Sequence, residues 1–191
     1  CQPTTRITDQ DEFNLGILLQ EEDVRTIAVD GANRKWFGTT SGVFVQSQDG
    51  SEQVARFTVD NSPLIDNTIS DIAIRGTTGE VFIGTAKGLV SYRGEATEGG
   101  RINRPNAYAF PNPVRPDYNG LIAIKGLAEN ANVKITDVNG QLIFETEALG
   151  GQAVWDGTDY NGRRASSGVY LVFSTSRNIN SPDTLVTKIL I

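Results

Sequence analysis

The sequence predicts an all-β protein in two parts, a pair of repeated antiparallel sheets followed by a β-sandwich. Three observations carry this reading. A glycine-bearing pattern occurs twice in the first half, prolines cluster near the middle, and short apolar runs broken by turn residues fill the remainder. Nowhere are apolar residues sustained at helical spacing.

The first copy reads Val24-Arg-Thr-Ile-Ala-Val-Asp-Gly-Ala-Asn-Arg-Lys-Trp-Phe-Gly-Thr-Thr-Ser-Gly-Val-Phe-Val45. The second reads Ile69-Ser-Asp-Ile-Ala-Ile-Arg-Gly-Thr-Thr-Gly-Glu-Val-Phe-Ile-Gly-Thr-Ala-Lys-Gly-Leu-Val90. Ile27 matches Ile72, whereas Gly38 and Gly42 match Gly84 and Gly88; one extra residue lies in the Gly76–Gly79 turn. The alternation of Ile27 and Val29 around Ala28, and of Ile72 and Ile74 around Ala73, predicts a short buried strand in each copy. A turn then leads into Trp36-Phe37 or Phe82-Ile83 as a second strand, and Gly38-Thr39 or Gly84-Thr85 introduces a third from Gly42 or Gly88. Val54–Phe57 supplies a fourth. A repeat of this length, with several short strands in each copy, is the signature of β-propeller blades built from four-stranded antiparallel sheets. Two blades do not close a ring, so the first half is expected to be the C-terminal blades of a truncated propeller. Cys1 is then expected to be internal to a longer parent rather than the lipid-bearing first residue of a lipoprotein.

The Ile-Ala start, the Gly turn, Trp36-Phe-Gly-Thr39 and the following Gly-Val or Gly-Leu together resemble the regulator-propeller repeat. That repeat occurs in sensor ectodomains and other extracellular proteins of Gram-negative bacteria.

Residues 94–101 are polar and Gly-rich, which reads as a linker. Pro105, Pro111, Pro113 and Pro116 follow and predict a stiff, extended connector. The boundary is placed near residue 104, giving a propeller part at 1–104 and a sandwich part at 105–191. The first part carries 10 basic and 15 acidic side chains and the second 7 and 8, so neither offers the basic surface that nucleic acid needs.

After the joint, Leu121–Ile124, Val133–Val138, Gln141–Glu145, Val154-Trp155, Val169–Phe173 and Leu185–Ile191 alternate apolar and polar residues. Asn139-Gly140 predicts a two-residue hairpin, and Asn161-Gly162 marks another tight turn. About seven strands at this spacing point to an immunoglobulin-like sandwich. With a single Cys in the chain, apolar packing around Trp155, Phe144, Tyr170 and Phe173 must hold it.

Phe110-Pro-Asn-Pro-Val114, the Val133-x-Ile-x-Asp-x-x-Gly140 hairpin, Ser167-Gly-Val-Tyr-Leu171 and the closing Lys188-Ile-Leu-Ile191 resemble the C-terminal sorting domain of type IX secretion substrates. The run Trp155-Asp-Gly, Asn161-Gly162, Gly168-Val-Tyr is also similar to the sandwich of flagellar hook-capping proteins. Blades followed by this sandwich resemble the surface components of the type IX attachment machinery. The resemblance implies an exported protein that crosses the periplasm and stays associated with the outer membrane at the cell surface. It also implies work beside the sortase PorU and the PorV and PorQ proteins, and binding of anionic lipopolysaccharide. Two other readings stay open: a secreted propeller cargo that binds or degrades polysaccharide and carries an export tag, and the sensor ectodomain of a hybrid two-component system.

Composition prunes the chemistry. The 191 residues hold 17 basic and 23 acidic side chains, net −6, with one Cys, no Met and no His. Without His there is no Ser-His-Asp or Cys-His nucleophile pair and no His-ligated zinc. Glu21-Glu22, on an extended segment, point opposite ways and make a poor acid/base pair. No enzyme activity, cofactor or metal is expected. Asp156-x-x-Asp159-x-Asn161-Gly162 departs from the calcium-loop spacing and reads as a hairpin turn. For an anionic glycan, the candidate contacts are the adjacent Arg163 and Arg164 together with Lys188, with Lys134 a possible neighbour and Tyr118 or Tyr160 possible stacking rings.

Overall fold

The computed structural model describes residues 19, 21–176 and 184–191. Its described residues form fourteen strands and no helix, in two compact units divided between Gly94 and Glu95.

The first unit contains two antiparallel meanders. β1 (Val24–Val29), β2 (Lys35–Thr39), β3 (Val43–Gln46) and β4 (Gln53–Phe57) form a four-stranded sheet in chain order. β5 (Ile69–Arg75), β6 (Glu80–Thr85) and β7 (Gly88–Arg93) form a second blade of three strands. The repeated Gly-Thr pair has a physical cause in both blades. Thr39 Oγ1 donates to Gly42 O at 2.9 Å and accepts from Ser41 N, while Thr85 Oγ1 donates to Gly88 O at 2.9 Å and accepts from Lys87 N. The hydroxyl thus satisfies both sides of the turn into the third strand. Gly38 is there for space: a Cβ would come within 2.6 Å of the Cγ2 atoms of Ile69 and Thr26.

Trp36, Val43 and Val45 of the first blade share a core with Ile69, Ile72, Val81 and Ile83 of the second. Phe57 stacks on Trp36 at 5.8 Å between centroids, and Tyr92 lies 5.2 Å from Phe57 and 6.1 Å from Trp36, so one aromatic group spans both blades. The expectation of a buried first strand holds for Ile72 but fails for Ile27 and Val29, which are 59% and 53% exposed. Register explains it. Ala28 lies opposite Trp36 and faces the shared core, so alternation turns its neighbours to the other face.

The second unit is a seven-stranded sandwich of the immunoglobulin-like class. One sheet runs in the order β11 (Leu142–Glu147), β10 (Asn132–Thr136), β13 (Val169–Thr175), β14 (Thr184–Leu190). The other runs β12 (Gln152–Trp155), β9 (Ile122–Lys125), β8 (Tyr108–Phe110). Between them lie Ile122, Ile124, Val133, Ile135, Trp155, Val172 and Ile189, all nearly inaccessible to solvent. Full burial of each such side chain stabilises by about 1.5–3 kcal/mol. Trp155 meets Tyr170 edge-on at 5.6 Å, and the Tyr170 hydroxyl donates to Ser166 O at 2.7 Å, four residues upstream. Desolvation, with a smaller contribution from the Asp137 charge, pushes the Tyr170 pKa up.

Two local expectations change. The Gly-rich segment after Gly94, read as a linker, is built into the sandwich: Thr97 bridges Gly150, Gly100 bridges Ala128, and the Asn103 side chain bonds Ala128 N and Ser174 O. Gly99 serves close approach, since a Cβ there would lie 2.9 Å from Glu129 and Gly150 backbone atoms. Asn139-Gly140 does not make a two-residue loop. Asp137 N donates to Gln141 O at 3.0 Å, enclosing Val138, Asn139 and Gly140, with Gly140 at φ +84°. Asp137 Oδ1 accepts the amides of Asn139 and Gln141, both at 2.9 Å, which favours this three-residue turn.

Candidate functional site

The candidate residues fall in two places on the sandwich. Arg163 and Arg164 lie within the loop between β12 and β13. Asp159 organises that loop as Asp137 organises its own: Asp159 Oδ1 accepts from Asn161 N at 2.8 Å and Arg163 N at 3.0 Å. Its Oδ2 accepts from Arg163 Nε at 2.9 Å and from a second guanidinium nitrogen at 2.7 Å. These Arg163 bonds hold the Asp159 carboxyl down at about 2. Asp156 Oδ1 is engaged too, by Thr158 N and Oγ1. The loop's carboxylates therefore serve its own turn, and the described residues contain no cluster of three metal-ligating side chains.

Arg164 is held differently. Its two terminal nitrogens donate to Asp156 O at 3.0 Å and Tyr118 O at 2.9 Å. Gly157 makes room for it, since a Cβ there would lie 2.6 Å from a guanidinium nitrogen. Carbonyl dipoles orient the group but do not cancel its charge, and among the described residues Arg164 has no ion pair. Arg163, by contrast, shares its charge with Asp159.

Lys188 lies apart, exposed on the edge strand β14 opposite Leu171, whereas Tyr160 of the arginine loop packs on Phe144 of β11, the other edge strand of the same sheet. Lys188 also has no ion pair among the described residues. Lys134 projects from β10 on the face shared by Leu171 and Phe173, and Glu145 sits 3.7 Å away. The structure thus joins Lys188 and Lys134 to one sheet face and leaves the arginine pair in its loop. Of the proposed stacking rings, Tyr118 is half-buried with its hydroxyl on Leu121 O, while Tyr160 is 61% exposed.

Sequence reading passed over another exposed pair, Tyr108 (52% exposed) and Phe110 (66%). The signal was present in the alternation Tyr-Ala-Phe, with small Ala109 turned inward.

Residues 118–178 match the FlgD Ig-like domain family. PorZ, described as an essential bacterial surface component of the type IX secretion system of Porphyromonas gingivalis, is 34% identical over 95% of this chain, with a TM-score of 0.60. The chain spans about a quarter of that protein's length (24%). The extracellular domain of a putative hybrid two-component system of B. thetaiotaomicron matches at 15% identity and a TM-score of 0.33, over 88% of this chain and 38% of that one. No curated protein matches.

Proposed function

We propose, from the likeness to PorZ, that this chain is part of a non-catalytic surface component of the type IX attachment machinery. The whole protein would sit on the outer membrane and bind anionic lipopolysaccharide together with partner proteins, PorU, PorV and PorQ by family resemblance. The observation that supports the reading most is that the similarity runs through both the blades and the sandwich. Absence of His removes the commonest neutral-pH acid/base group and so favours binding over turnover.

In a chain of net −6, an acidic ligand must be met by local rather than global charge. Arg164 and Lys188 are the better placed of the three candidates, because Arg163 has to leave Asp159 first. The test is retention of the 191-residue chain on immobilised lipopolysaccharide bearing acidic or neutral polysaccharide. The reading requires preference for the acidic form and weaker retention of Arg164→Gln and Lys188→Gln. Equal retention of both forms, or none, ends the glycan role. Mass spectrometry of the surface-exposed parent separates this reading from a cargo with an export tag, since a retained sandwich fits only the former.

A further inference from the structure

The sheet β12-β9-β8 has one face in the core and one outside. Ala109, Ile122, Ile124, Ala153 and Trp155 point inward. Register assigns Tyr108, Phe110, Ala123, Lys125, Gln152 and Val154 to the outer face: Lys125 lies opposite Tyr108 and Gln152, Ala123 opposite Phe110, and Val154 opposite Ala123. Gln152 is buried there, its side-chain amide donating to Glu95 O at 3.0 Å, so the open part of the face is the β8 side with Tyr108 and Phe110. The three strands contain no Asp or Glu, in a chain where acids outnumber bases. Exposed Arg104 stands at the end of this strip, its amide donating to Gly126 O at 2.7 Å, one residue beyond Lys125. Small Ala123 keeps the floor beside Phe110 low.

We propose that this strip seats an acidic polysaccharide, the C–H faces of successive sugar rings lying on Tyr108 and Phe110 while Lys125 and Arg104 meet the acid groups. The proposal rests on the glycan-binding reading above and adds a further contact surface for the same ligand to Arg164 and Lys188. An aromatic ring presents a negative face to the weakly positive C–H bonds of a pyranose. The cations supply the selectivity for acid that rings alone lack. Size argues against a protein occupant: a stable protein interface uses about 20–30 residues a side, and this strip offers a handful on a flat sheet.

The experiment titrates the 191-residue chain with acidic polysaccharide freed of its lipid, alongside neutral polysaccharide and the intact acidic lipopolysaccharide. Tyr108→Ala/Phe110→Ala is expected to weaken binding of the free acidic polysaccharide by about tenfold or more, the loss of a stacked aromatic anchor. Lys125→Gln is expected to cut the preference over the neutral form. In the wild-type protein, bound polysaccharide should shield Tyr108 from nitration, a readout that does not depend on how a variant folds. If the wild type binds and the double variant binds equally well while Arg164→Gln weakens, the strip is overturned and the glycan reading stands. If the wild type binds neither sugar, both fall. Binding of the intact lipopolysaccharide alone would assign the strip to acyl chains, and retention of a protein but no sugar would assign it to a polypeptide; either result overturns the proposal.

Discussion

Arg34 Nε donates to Asp30 Oδ2 at 2.7 Å across the first blade's opening hairpin, and in the second blade the equivalent positions carry Arg75 and Glu80, 3.7 Å apart with the charges exchanged. The third partner explains the difference. Asp30 Oδ2 also accepts Trp36 Nε1 at 3.0 Å, and Oδ1 takes the amides of Ala32 and Arg34. Phe82 stands where Trp36 stands and has no N–H to satisfy, so an acid is not demanded there.

Asp30→Ala therefore strands a buried indole N–H and a largely buried guanidinium. The expected loss is about 3 kcal/mol in urea unfolding. Arg75→Ala, whose side chain is 60% exposed, should cost within about 0.5 kcal/mol. Equal losses would contradict the role assigned to Trp36.

Close backbone approach, rather than flexibility, accounts for Gly99 and Gly151. A Cβ on Gly151 would lie 2.4 Å from Glu98 O, while on Gly100 the nearest atom would be Ile102 O at 3.5 Å. Gly151→Ala is expected to destabilise by about 1–3 kcal/mol and Gly100→Ala by much less, as thermal unfolding would show.

Among the described residues the same Asp-led turn occurs three times, at Asp30, Asp137 and Asp159, and its fourth residue has positive φ: Asn33 at +58°, Gly140 at +84° and Gly162 at +73°. Gly140→Ala should cost about 1–2 kcal/mol, the penalty of a Cβ in the left-handed region. Asn33→Gly should be tolerated or slightly stabilising. Unfolding midpoints of the two variants decide it.

Asp159 gives a pH prediction. Its folded pKa falls from the ordinary 3.8 to about 2, so its stabilisation is fully present above 3.8 and is lost as pH drops through 2. Wild-type melting temperature should decline over this window more steeply than that of Asp159→Asn. A carboxyl titration of Asp159 by NMR with its midpoint near 4 would refute the assignment.

The repeat period, the turn glycines and the period-2 alternation determined an all-β chain of blades followed by a sandwich, because each is a local demand written within a few residues. Trp155 and Tyr170 were legible as core for the same reason, with Phe144 partly buried against them, whereas Phe173, expected beside them, shares the outer sheet face with Lys134. What alternation cannot say is which face a neighbouring sheet will cover: Ile27 and Ile72 are equivalent in sequence, yet one is exposed and the other buried. Nor can local composition tell a flexible glycine from one that admits another backbone, as at Gly99 and Gly151. The candidate site shows both limits. Arg163 and Arg164 are adjacent in the chain, but only tertiary packing gave one an acid partner and the other two carbonyls, set Lys188 on a separate strand, and left Tyr108 and Phe110 facing outward, because burial and charge pairing are settled by residues distant in sequence.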